Sequence, residues 1–576
     1  MLRITQTIRI KCYLLNLLIL YTTFASAEIV FDGSLGPAVS LNGPDFEVTA
    51  NFGKLHGSNL FHSFKTFDLT AAQTANFSGP NTVQNIIGRV TAGEKSSIDG
   101  VLRSSIPQAD LYLLNPDGFI FGKHARLDLQ GSLFVSTASQ LKLGSFGVFT
   151  TRLPERSVLV SASPSAFGFL DVKPATIEIN SSNLVAKEGE TLSVLGGEIK
   201  INRGLLRAIS GRVNLAAITK ANELTITPTG LNVAANAQFG KIDLENNAMV
   251  DVGRQGTGDI YIRGGQFFLE NSFVIAANTE VNERINVIRI DVKELRLDNQ
   301  ADIDSRTYGP GQGGQIIINV AGETRLSNNS TIRTNSLGTE AGKAGNISLK
   351  AQRLSLFTNS SITSNAFSLG DGGNITIKIH DNINLNSSAA ISADSADLGN
   401  AGNIYVSSTN LAMDAGTIST AADKAEGGNI VINARNQLIM YNSVFSANVA
   451  GGQGNGGNLA ISNPGLFQLT DSQITANASG GNGGFVLIVT DILSELGESW
   501  ISASSESGRE GDVKIDDIYN IDINTLPVEF LDVSNLIKKR CNGISETQSS
   551  SFFLKGRGGL PNAPDDLQTY MPIGVW

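Results

Sequence analysis

A Gly-Gly-Asn-aliphatic mark recurs through the second half of this chain at a nearly fixed interval, and that period limits the fold more than any other feature. The mark reads Gly313-Gly314-Gln315-Ile316, Ala344-Gly345-Asn346-Ile347, Gly372-Gly373-Asn374-Ile375, Ala401-Gly402-Asn403-Ile404, Gly427-Gly428-Asn429-Ile430, Gly456-Gly457-Asn458-Leu459 and Gly483-Gly484-Phe485-Val486. Successive second glycines lie 31, 28, 29, 26, 29 and 27 residues apart. A period in this range predicts a stacked solenoid. Within one period the apolar residues alternate with polar ones in short bursts, as in Ile375/Ile377/Ile379, then Ile383/Leu385, then Ile391. Alternation by two is the strand signal, and bursts separated by Gly, Asn, Asp and Ser predict three short strands joined by tight corners. No burst is long enough for an ordinary amphipathic helix.

One such unit cannot stand alone. Five or six inward aliphatic side chains contribute roughly 1.5–3 kcal/mol each, whereas ordering about 28 residues costs roughly 1–2 kcal/mol per residue. Neighbouring coils must therefore supply backbone hydrogen bonds and seal the apolar interior. Roughly ten coils at about 4.8 Å separation would make a stack about 50 Å long. The glycines are expected at corners that need positive φ, and the asparagines to stack into an amide ladder. Upstream, Gly258-Asp259-Ile260 and the segment from Asn286 to Ile290 extend the repeat; downstream, Gly511-Asp512-Val513 adds one step.

The expected class is thus all-β, a single-stranded parallel β-helix with an N-terminal cap and an irregular C-terminal tail. Four segments follow: a leader over 1–27, a head over 28–165, the repeat helix over 166–525 and a tail over 526–576. The leader carries Arg3, Arg9 and Lys11, a short apolar run from Leu14 to Leu20, and Ala25-Ser26-Ala27. That pattern predicts a secretory signal cleaved between Ala27 and Glu28, and the run is too short to span a membrane as a helix. The formal charge is −10 and becomes −13 without those three cations, which argues against nucleic acid as a partner. Cys541 is the only cysteine left after Cys12 departs with the leader, so the core and its ladders must hold an exported chain without an internal disulfide.

The head differs in composition. It is dense in Phe, including Phe31, Phe46, Phe52, Phe61, Phe64, Phe67 and Phe77, and bulky aromatics suit a cap over the first coil. Asn115-Pro116-Asp117-Gly118 between two apolar runs predicts a turn, with Pro presetting φ and Gly taking the left-handed position. Taken in order, the segments from Gly57 to Phe64, Phe77 to Pro80, Asn85 to Val90, Ser97 to Gly100 and Leu113 to Gly122 resemble the secretion domain of two-partner-secretion exoproteins, the N-terminal domain of the filamentous haemagglutinin family. The usual Asn-Pro-Asn-Gly-Ile of that family stands here as Asn115-Pro116-Asp117-Gly118-Phe119, which keeps both turn and apolar character. The tail from Gly556 to Pro561 also resembles those of shorter family members. The resemblance implies a right-handed β-helix that begins in the head. It also implies export through an outer-membrane β-barrel transporter with periplasmic docking domains. Asn81, Asn85, Asn115, Pro116, Asp117 and Gly118 would then mark the turns of the recognition region. A secreted or surface adhesin of a Gram-negative-type bacterium, binding a carbohydrate or protein ligand, is the function this implies.

Signals for chemistry are sparse. No zinc-protease, nucleophile-elbow or phosphate-loop motif occurs, and the reading assigns no catalytic residue, metal or cofactor. His56 and His62 are expected to be structural or surface residues. A β-helical enzyme acting on an extracellular polysaccharide is the alternative, and it would need converging carboxylates. The pairs Asp302/Asp304, Asp243/Glu245, Asp394/Asp397 and Asp516/Asp517 are expected to be solvated acids on an acidic surface. Outward residues such as Thr376, Lys378, Tyr405 and Thr475 are the first places to look for a binding face.

Overall fold

The computed structural model describes residues 28–520, apart from 172, 254–257, 279–284 and 339. The leader, Ala27, Cys541 and the tail motif lie outside the described residues, which all belong to one compact unit, Met1–Ile521. Three strands make a coil, as the alternation predicts. In the coil after Asn374 they are Ile375–Ile379, Asn382–Asn386 and Ala390–Ser392. Each stacks in parallel, in register, on its counterpart in the next coil: Ile375 on Ile404, Ile383 on Leu411, Ile391 on Ile418. The result is a right-handed parallel β-helix.

The stack is longer than the glycine marks alone imply. Its first face runs without interruption from Asn59–Phe67 to Asp512–Asn520, always parallel, and the helix has about 16 turns rather than about ten. Winding begins inside the head, where the glycine mark is absent. Inward residues of all coils merge into one continuous core, from Ile29 to Ala503.

The glycines serve a purpose different from the one expected. None in the repeated mark has positive φ. A Cβ at Gly373, Gly402, Gly428 or Gly457 would instead lie 1.7–1.9 Å from the carbonyl oxygen of the equivalent glycine one coil below. Coil-to-coil approach of the backbone requires the second glycine, whereas the first position accepts Ala344 and Ala401. Left-handed residues do occur, at the corner between second and third strands, and there they are Asn328/Asn329, Thr358/Asn359 and Ser387/Ser388. Short polar side chains tolerate this region better than other non-glycine residues.

The asparagine ladder forms as expected. Asn403 donates from Nδ2 to Asn374 Oδ1 at 3.1 Å, Asn429 to Asn403 at 3.0 Å and Asn458 to Asn429 at 3.0 Å. Each accepting oxygen also takes the backbone N–H of the next asparagine, at 3.0–3.1 Å.

At the N-terminal end Ile29–Phe31 and Lys54–His56 both pair antiparallel with Asn59–Phe67. They cover an edge that would otherwise offer free strand hydrogen bonds. The rings of Phe31, Phe52 and Phe64 stack beneath them at centroid distances of 4.9–5.0 Å. His62 is fully buried among Phe31, Phe64 and Phe77. Burial brings its pKa down to about 4, so the ring is neutral and structural.

Candidate functional site

The head carries what the repeats lack. Gln140–Leu143 pairs antiparallel with Gly147–Thr150 and with Pro164–Phe169. Pro164–Phe169 pairs in turn with the far half of the long strand Arg212–Thr227, and that half with Gly230–Val233. The near half of Arg212–Thr227 stays in the helix, where Val213 sits on Ile260. The chain thus leaves the solenoid, builds a small antiparallel platform on its first face, and returns. All antiparallel pairings among the described residues fall between 29 and 239.

A second apolar core lies between helix and platform. Phe61, Ile87, Tyr112 and Leu114 point outward from successive rungs and meet Leu141, Phe149, Phe167, Phe169 and Leu224. The phenylalanines of the head therefore fill two sites, the cap and this interlayer, and only the first was expected. The signal in the sequence is Asn85-Ile86-Ile87, where consecutive residues are apolar on both faces of one strand.

Polar clamps fasten the platform. Arg89 is fully buried. Its Nε donates to Ser63 Oγ at 2.7 Å, its Nη1 to the Thr150 carbonyl and to Ser157 Oγ at 2.7 Å, and its Nη2 to Ser34 Oγ at 3.0 Å. The guanidinium also lies 4.4 Å from the Phe149 centroid. Burial lowers its pKa to about 10, opposed by the charges of Asp32 and Glu155, so it remains a cation. Burial also pushes Asp32 up, but bonds from Ser63 at 2.6 Å, the Ser34 N–H at 2.8 Å and Thr91 at 3.0 Å outweigh it. The Asp32 carboxyl ends below its ordinary value.

The motif residues sit at two ends of the same face. Asn85 opens its strand and donates to Asn59 Oδ1 at 2.8 Å. Asn59 in turn donates to the carbonyls of Val160 and Ala162 at 2.9 and 2.7 Å, pinning the return segment of the platform. Asn115 follows the end of Asp110–Leu114. Its Nδ2 donates to the Glu94 carbonyl at 2.9 Å and to Ser96 Oγ at 3.0 Å, while its Oδ1 accepts the Asp117 N–H at 3.0 Å. Pro116 and Gly118 complete this turn, with Gly118 at φ +112°. Asp117 receives both terminal nitrogens of Arg152 at 2.7 and 2.8 Å, and Arg152 also reaches Asp171 at 3.0 Å. These contacts raise the Arg152 pKa, the bond to Asp117 most of all. Asn81 stands apart, exposed on the turn before Asn85–Val90. The structure does not bring it to Asn115. Sequence reasoning missed Asn59, Arg89 and Arg152. The first two lie within or beside quoted segments, but their partners are up to 103 residues away.

The carboxylate pairs are less uniform than expected. Asp302 and Asp304 are 5% and 0% exposed, not solvated. They sit in register with Thr331 and Arg333 of the next rung. Thr331 donates to Asp302 at 2.6 Å, Arg333 bonds both acids, and Arg306 folds back on Asp304. Burial pushes both carboxyls up, with the Asp302 charge adding to Asp304, and the arginines pull them down. Asp243 is likewise buried, beside Lys241 at 2.7 Å. Glu245 and Asp516 are exposed as expected, Asp397 is half-exposed beside Lys424 at 2.9 Å, and Thr475 is buried. Strand alternation indicates which side a residue faces; it does not show which long side chains close over it.

Among the described residues, no cluster of three or more His, Cys, Asp or Glu could hold a metal ion. Residues 27–266 match the family model of the TPS secretion domain, a span that contains the cap and the whole platform. No curated protein matches the chain. Among solved structures, the HMW1 secretion domain from Haemophilus influenzae is similar at 17% identity and a TM-score of 0.34, covering 83% of this chain and 98% of that one.

Proposed function

We propose, on the premise that this chain is a β-helical exoprotein carrying a two-partner-secretion domain over residues 27–266, that the platform side of the head is the surface its outer-membrane transporter reads. Such a domain has a cognate transporter, and it marks a protein secreted by a Gram-negative-type system. The observation that carries the reading is the coincidence of two spans. The family match ends at 266, and the antiparallel additions end at 239. Among the described residues, all strand pairing beyond is parallel, and parallel stacking needs no partner-specific surface.

In this reading the leader is removed between Ala27 and Glu28, and residues 28–165 present the recognition turns. Asn115, Pro116, Asp117 and Gly118 form one turn, held by Arg152; Asn81 and Asn85 mark another. The transporter's periplasmic docking domains engage them before the remainder has folded. Coils then add one by one outside the cell, each templated on the exposed edge of the last. The exported helix is a secreted or surface-exposed adhesin. Binding is the activity we assign it; among the described residues, Arg306 and Arg333 occupy the buried carboxylate pair Asp302/Asp304.

Deleting residues 28–165 while keeping the leader should leave the protein in the periplasm. Export of that deletion at the normal level would overturn the reading. Replacing Arg152 with Ala, which frees the turn but spares the helix core, should lower export without abolishing folding of the body.

A further inference from the structure

One groove in the repeat body has a charge opposite to that of the chain. It follows the corner between first and second strands from the rung of Asp259–Arg263 to that of Ile430–Tyr441, and has a volume of about 780 Å³. Arg263, Lys293, Lys350, Lys378 and Arg435 line it against a single carboxylate, Asp291. That carboxylate is already occupied: Arg289 bonds it at 2.8 Å, Asn319 at 2.8 Å, and Arg263 lies at 3.8 Å. Asp381, just beyond the rim, is held by Gln352 and His380 at 2.8 and 2.6 Å.

The lysines are left free. Lys350 and Lys378 stand directly in register on adjacent rungs, about 4.8 Å apart along the stack. Like charges in register are destabilising. Lys293, Lys350 and Lys378 have no ion-pair partner among the described residues, and Lys378 has only the Tyr405 ring at 5.9 Å. By contrast Lys241, Lys343 and Lys424 on the same body each face an aspartate. Val292, Val320, Ala351 and Ile379 follow one another rung by rung behind the cations, but they are only 3–8% exposed and belong to the inner core.

We propose that this groove binds a linear acidic polysaccharide, with its sugar carboxylates on Lys350 and Lys378 and on the cations at either end. The inference rests on the binding reading above and names its ligand class. An acidic sugar chain carries a carboxylate on each ring, and the groove offers unpaired cations on adjacent rungs, Lys350 and Lys378, with Lys293 and Arg435 further along it. Single-stranded nucleic acid would need free aromatic platforms, and the aromatic rings lining the groove, Phe239 and His380, are engaged by Arg263 and Asp381. An acidic peptide adding as a strand would need an unpaired edge, and the strands here are paired on both sides.

The test uses the chain from Glu28 to Trp576, titrated at physiological ionic strength with oligogalacturonate, a neutral cello-oligosaccharide of equal length and an oligonucleotide of equal charge. The uronate should bind, and the two controls should bind at least about tenfold more weakly. The double variant K350Q/K378Q, whose side chains are exposed and make no ion pair among the described residues, should lose about tenfold in uronate affinity. K424Q, on the same body but outside the groove, should lose none. Absence of uronate binding, equal binding of either control, or an unchanged K350Q/K378Q would overturn the proposal. Purified protein needs no transporter, so this result and the export result fail independently.

Discussion

The head up to Phe239 and the body beyond it solve one problem by opposite means. Both must hold parallel rungs together. In the body the ladder contacts reach one coil away: Asn403 to Asn374 spans 29 residues, and Gly402 packs on Gly373. In the head Arg89 reaches Ser157 across 68 residues and Asn59 reaches Ala162 across 103. Nearest-neighbour contacts make the body extensible and its stability approximately a sum over interfaces. Long-range clamps tie the platform to the helix and make the head a single unit. A domain that a partner must recognise gains a distinct surface this way; a body that lengthens by repetition gains none.

The sharpest way to break the comparison is to place a side chain where coils touch. Gly428→Val sets carbon 1.7 Å from the Gly402 carbonyl oxygen, and should destabilise the body by about 4 kcal/mol or more. Ala401→Gly, at the tolerant first position of the mark, should change stability by about 1 kcal/mol or less. Denaturant midpoints for the two variants check this; equal effects would remove close approach as the cause.

Arg89→Met should cost about 3 kcal/mol, through the unpaired hydroxyls and carbonyl it leaves and the loosened charge of Asp32. The damage should be regional. Limited proteolysis is expected to cut within residues 140–169 while the coils after Lys241 stay resistant. Uniform cleavage along the chain would show that the head is not a separate cooperative unit.

His62 sharpens the same boundary through pH. Its folded pKa of about 4 lies below the ordinary 6.5, so between these values the unfolded chain binds the proton and the folded chain does not. Stability from this group is complete above pH 6.5 and is lost as pH falls toward 4, by about 3 kcal/mol. His62→Leu should flatten that dependence in the head, and the body's midpoint should not follow it. A similarly small effect is expected at Asn429→Ala, about 1 kcal/mol, because one ladder rung exposed to water is lost; hydrogen exchange at the Asn458 amide, which donates to Asn429 Oδ1, should report it locally.

Much of the body was legible in its residues. Ile375, Ile377 and Ile379 point inward because strands alternate, and Asn374, Asn403 and Asn429 stack because equal positions recur at equal heights. The resemblance carried by Asn85 to Val90 and Leu113 to Gly122 located the head. Less legible was why the glycines recur, since a corner and a close approach favour the same residue, and only the Gly402–Gly373 distance separates them.

The period, the alternation and the head motifs by themselves determined a parallel solenoid, its three strands per coil and its class, because these depend on the order of residues along a strand. Tertiary structure alone decided where the platform docks, that Arg89 is its buried clamp, that Asp302 and Asp304 are covered by Arg333 and Arg306, and that Lys350 and Lys378 face an open groove. Those outcomes depend on which distant segments come to lie over a face, and a local pattern carries no information about what will cover it.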